Sequence, residues 1–131
     1  MKMDRKESVE KLERRLIDFS VMILNLTEKL PDSRVGKYLS DQLIRSCISP
    51  ALNYGEARSA ESPGDFIHKM KICLKELRET FISLQIIQAK NIVKIEKDLL
   101  QKSVNECNEL IAIFVKSIQT VETNRKNKSV K

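Results

Sequence analysis

Seven apolar residues near the start of the chain constrain the fold more than any other feature. Val9, Leu12, Leu16, Phe19, Ile23, Leu26 and Leu30 alternate at intervals of three and four, and the run ends at Pro31. That spacing places one apolar seam along an α-helix, as in a coiled coil. Proline has no backbone N–H and disfavours helical geometry in the residue before it, so the helix stops there. A helix of this kind is stable only when its seam meets others like it.

The pattern returns three times. Asp32 and Ser33 are candidate caps for a second helix over about 34–59, with Val35, Leu39, Leu43, Ser46 or Cys47, and Ala51 to Tyr54 facing inward. Pro50 lies inside it and deprives the Ser46 carbonyl of its partner, so a kinked but continuous helix is expected, a break near Ser49 being the alternative. The run E-S-P-G-D-F from Glu61 is a helix start: Ser62 caps, Pro63 suits the first helical position and Asp65 completes a capping box. Phe66, Met70, Cys73, Leu77, Phe81, Leu84 and Ile87 then repeat at helical spacing to about Lys90. After a polar turn, Ile95, Leu99, Cys107, Leu110, Phe114, Ile118 and Val121 line a fourth helix.

Helices joined by short loops are antiparallel neighbours. With only 3 Gly and 3 Pro in 131 residues, the chain also lacks the turns of a many-stranded fold. The predicted fold is all-α, an antiparallel up-down-up-down four-helix bundle over residues 7–121. A flexible basic arm (1–6) and a disordered basic tail (122–131) are expected to flank it.

Several function classes are disfavoured. Cys47, Cys73 and Cys107 are far apart, lack CxxC spacing and fall on the apolar stripes, as small buried hydrophobes do. The single histidine, His68, lies off the apolar seam and reads as a surface residue rather than a base or ligand. Dinuclear metal sites in bundles need inward Glu and Glu-x-x-His pairs, and the sequence has no Glu-x-x-His and no Gly-rich phosphate loop. No catalytic residue, metal or cofactor is expected, and the chain reads as a non-enzyme. The charged N-terminus has no signal-peptide core, and the longest apolar-rich stretch, Leu16 to Leu26, is too short to cross a bilayer. A cytoplasmic location with no membrane partner is expected.

The net charge of +6 sits mostly at the ends. Residues 1–6 contribute +2 and residues 122–131 contribute +3, the latter through Arg125, Lys126, Lys128 and Lys131 against Glu122, leaving +1 for the body. Lys71, Lys75 and Arg78 are spaced four and three, so they share one face of the third helix. With Arg125, Lys126 and Lys128 they are the candidates for phosphate contact with nucleic acid. Glu76 and Glu79 interleave, and Lys75 with Glu79 forms an ordinary helix ion pair on this spacing.

A polar cluster runs from Asp41 to Asp65. Asp41 and Arg45 lie one turn apart and can pair, while Asn53, Glu56, Arg58 and Asp65 are expected to converge on the junction of the second and third helices. Either they bond a tight junction together or they form a ligand or partner site. Two segments are apolar on too many sides for one core: Leu16 to Leu26 at eight of eleven positions and Leu110 to Val115 at all six. Ile17, Val21, Leu24, Ile111 and Val115 are therefore candidates for contact with another subunit.

Three blocks carry a family resemblance: S-D-Q-L-I-R-S from Ser40, S-P-A-L-N-Y-G-E-A-R-S-A-E-S from Ser49, and D-F-I-H-K-M-K-I-C-L-K-E-L-R-E-T from Asp65. Colinear over Ser40 to Ile87, they resemble the four-helix bundle family encoded within intervening sequences of bacterial 23S ribosomal RNA genes. The resemblance implies ring-like homopentamers of up-down bundles, and a relative is the accessory protein of diversity-generating retroelements, which binds reverse transcriptase and nucleic acid. It carries over Asp41, Gln42, Arg45, Asn53, Glu56, Arg58, Asp65, Lys71, Lys75 and Glu76 as family-pattern positions without a reaction. Phe81, Ile82 and Ser83 stand where an aromatic Tyr-Trp pair belongs, so a contact through those aromatics does not transfer. The resulting expectation is a self-associating accessory factor, a pentamer by resemblance, for RNA, DNA or a ribonucleoprotein. The alternative is a scaffold for a protein partner with no nucleic-acid role.

Overall fold

A computed structural model describes residues 4–130, and side chains over 4–128, as α1 (Arg5–Thr27), α2 (Arg34–Arg58), α3 (Pro63–Lys90) and α4 (Lys97–Val130). The first amides of a helix have no partner inside it, and short polar side chains supply one at three of these starts. Asp4 accepts the Glu7 N–H at 2.8 Å, Ser33 that of Gly36 at 3.1 Å, and Ser62 that of Asp65 at 3.1 Å. α3 ends on Asn91, whose φ of 56° is tolerated by asparagine, and its N–H donates to the carbonyls of Ile87 and Gln88.

The helices pack in cyclic order, α1 on α2, α2 on α3 and α3 on α4, and the α4–α1 contact closes the ring most loosely. Cross-helix pairs fix the directions: Glu13 with Arg58, Ser46 with Thr80, Cys107 with Leu77, and Arg15 with Glu106. This is the antiparallel four-helix bundle that the seams predict. Its core is one cluster, with Leu16, Phe19, Ile23, Leu43, Leu77, Leu84, Leu110 and Phe114 at 0–1% exposure. Tyr54 packs edge-on to Phe114, with ring centres 5.9 Å apart.

The ends differ from expectation. Arg5 and Lys6 lie in the first turn of α1, and α4 continues as helix through 122–130 instead of dissolving. Lys2 and Lys131 lie outside the described residues. The tail has no glycine or proline, and extending an existing helix gains one hydrogen bond per residue, so composition alone misjudges it. Inside α2, Val35 is exposed rather than inward, both Ser46 and Cys47 are buried, and in α4 Leu100 is buried more deeply than Leu99.

α2 runs unbroken through Pro50. Its neighbours supply hydrogen bonds at that turn: the Ser20 hydroxyl of α1 donates to the Cys47 carbonyl at 2.7 Å, and the Cys73 thiol of α3 donates to the Pro50 carbonyl at 3.4 Å. All three cysteines are buried, and burial pushes each thiol up to about 12. A disulfide reagent at pH 8 is therefore expected to leave the native protein unmodified and to titrate three thiols in urea.

Gly36 allows the α1–α2 turn to close. A Cβ there would stand 1.9 Å from the Pro31 carbonyl oxygen, whereas one on Gly55 would meet nothing within 4 Å. Urea unfolding is expected to separate them: Gly36→Ala costs about 2 kcal/mol or more, and Gly55→Ala stabilises by about 0.5–1 kcal/mol.

Candidate nucleic-acid interface

The α3 face that carries Lys71, Lys75 and Arg78 is exposed. These residues line a groove of about 880 Å3 over α3, bordered by Tyr38 and Gln42 of α2 and by Val115 and Gln119 of α4. Tyr38 is 65% exposed, and Ile82 and Ile86 beside it are 56% and 51% exposed. The face thus joins cations, an accessible aromatic ring and apolar surface, the combination that holds a phosphate backbone and stacks a base.

Glu79, which lines the groove, and Glu76, one turn before it on α3, are already engaged. Arg45 reaches from α2 to Glu76 at 3.0 Å and Glu79 at 2.9 Å, and also donates to Gln42. Burial pushes the Glu76 carboxyl above its ordinary value, while the Arg45 hydrogen bond holds Glu79 below its own. With Glu79 bonded to Arg45, Lys75 is left facing the groove rather than forming the i,i+4 pair that the sequence suggests.

The end of α4 approaches the start of α3. Lys71 pairs with Glu122 at 3.7 Å, which sets the end of α4 beside the start of α3. Lys126 lies one turn beyond Glu122, and the Arg125 guanidinium stands 3.7 Å from where a Gly64 Cβ would be. Lys128 follows in the last described turn. Because α4 stays helical, the Lys71–Glu122 pair and the approach of Arg125 to Gly64 bring the start of the basic tail beside the first turns of α3.

The polar cluster is dispersed rather than gathered. Arg45 turns to α3 instead of Asp41, Arg58 pairs with Glu13 of α1 at 2.8 Å, and Glu56 pairs with Lys69 at 3.5 Å. Asn53 bonds Ser49 within its own helix, and the Asp65 N–H is capped by Ser62. Helical phase explains this outcome, since Arg58 lies on the α1 side of α2 and Glu56 on the α3 side. The residues missed by sequence reasoning are Glu13 and Glu106, whose partners lie 45 and 91 positions away.

The subunit-contact candidates fall on two faces. Glu13 and Ser20 contact α2, so Ile17, Val21 and Leu24, one turn on, follow that seam; Ile17 is 38% and Val21 50% exposed, and Leu24 is half-buried. Ile44 of α2, 38% exposed, lies along the same seam. Ile111 and Val115 lie on the α3 side of α4, in phase with Cys107, and are half-buried against the bundle. Among the described residues no three His, Cys, Asp or Glu side chains gather to hold a metal ion, and no helix is long and apolar enough to cross a membrane.

Linkage fixes the sign of one electrostatic prediction. Glu79 is lowered in the folded state, so its contribution is present above the unfolded carboxylate value and is lost as pH falls. Glu79→Gln should cost at most about 1 kcal/mol at pH 7, since the pair is partly exposed, and thermal melts should show the gap to the parent closing below about pH 4.

Comparison with known proteins adds a relationship. A family model described as 23S rRNA-intervening sequence protein matches residues 11–116. A crystal structure of a protein with unknown function from the S23 ribosomal protein family of Bacteroides thetaiotaomicron is similar at TM-score 0.74 and 29% identity, over 82% of this chain and 97% of that one. No curated protein matches.

Proposed function

The chain belongs to the 23S rRNA-intervening sequence protein family, and on that premise we propose that it acts in the cytoplasm as a non-catalytic, self-associating factor that holds RNA or a ribonucleoprotein. The observation that carries this reading is the groove lined by Lys71, Lys75, Arg78 and exposed Tyr38, with the start of the basic tail brought beside α3 at one end of it. Phosphate contacts act together, so a stripe that is weak on one bundle becomes strong when copies are assembled. The exposed seam of Ile17, Val21 and Ile44 is apolar surface for that assembly, which the resemblance puts at five copies.

Anisotropy of a labelled single-stranded RNA at rising salt tests the first half. Micromolar or tighter binding that weakens steeply with salt is expected, with the Lys71→Gln, Lys75→Gln, Arg78→Gln triple variant losing about two units of the log-log salt slope. No binding at low salt would remove the nucleic-acid role and leave the protein-scaffold reading. Native mass spectrometry tests the second half: an oligomer is expected for the parent and a folded monomer for Ile17→Glu with Val21→Glu, while a monomeric parent would refute self-association.

A further inference from the structure

The bundle is open along one seam, where the first turns of α1 pass the middle of α4. Val9, Leu12, Phe66 and Ile113 are only half-buried there, and Tyr54 and Met70 form the floor of a groove of about 560 Å3. That volume is in the range of a ligand site. The groove is open along its length rather than enclosed, which suits an elongated occupant more than a small molecule. Its α1 wall runs from Arg5 to Arg15, about 15 Å at 1.5 Å per residue, which is close to three helical turns.

Charge narrows the choice. Arg5, Lys11, Arg15 and Lys116 line the groove and no carboxylate does. Arg15 is committed to Glu106 and Glu109, but among the described residues Arg5, Lys11 and Lys116 pair with no acid. Lys11 stands on the α1 rim and Lys116 on the α4 rim, so cations flank an apolar floor from both sides.

We propose that this groove docks an acidic amphipathic helix of a protein partner. The helix lays its apolar stripe over Leu12, Phe66 and Ile113 and sets its Glu or Asp side chains against Lys11 and Lys116. Such a helix completes the open seam with the packing that the other seams already have. The site is independent of the nucleic-acid edge, since α4 turns Ile113 and Lys116 toward α1 while Val115 and Gln119 face α3.

The test uses the full chain and two fluorescein-labelled peptides of about 14 residues, each with leucines at helical spacing, flanked by Glu in one and by Lys in the other. The Glu peptide is expected to bind at least about tenfold tighter by anisotropy. Lys11→Glu with Lys116→Glu, both at exposed positions and checked by thermal melting, should invert the preference. Equal binding of the two peptides, binding of neither, or a preference untouched by the charge reversal would overturn the proposal. Displacement of the Glu peptide by dodecanoate or by RNA would also overturn it, giving the groove to an amphiphile or a polyanion, as would a dimer that masks the groove and gives it to a second copy.

Discussion

Each of the four helices carries an apolar stripe that is not buried until the others are in place. No one of them supplies two walls of a core, so helix formation and tertiary packing are a single event. The closure of Leu16, Leu43, Leu77 and Leu110 at 0–1% exposure shows how completely the stripes meet. The same packing surrounds the turn that holds Pro50, where Ser20 and Cys73 of the neighbouring helices donate to the Cys47 and Pro50 carbonyls. The inert thiols and the tight Gly36 turn are further consequences of that closure.

Electrostatics decorates this core and gives it a direction. Arg45 holds two carboxylates that would otherwise oppose the cations of α3, and Arg15 and Arg58 tie α1 to α4 and α2. These clamps decide which charges remain available to a partner. Lys75, Arg78 and Tyr38 face one groove, Lys11 and Lys116 another, and the two grooves lie on different sides of α4. A nearly neutral body can therefore present locally cationic surfaces.

The fold was largely legible. Ser62 and Pro63 mark the start of α3, Pro31 lies just past the end of α1, and both signals are local: a hydroxyl that reaches an amide three residues on, and a ring without an N–H. The candidate site was legible only in part. The spacing of Lys71, Lys75 and Arg78 put them on one face, but nothing local indicated that Tyr38 stands across from them or that Glu122 brings the end of α4 alongside. The polar cluster misled for the same reason, because Asn53, Glu56 and Arg58 are near in sequence yet point to different neighbours.

Sequence alone determined the four helices, their order and most residues of the core, because the 3.6-residue period and the burial of apolar surface act within a single helix turn. Tertiary structure alone decided which arginine meets which carboxylate, that residues 122–130 remain helical, and that the seam between α1 and α4 stays open. Those outcomes depend on distances between helices. A long charged side chain can reach any of several neighbours, and only the assembled bundle determines which of them lies within bonding distance.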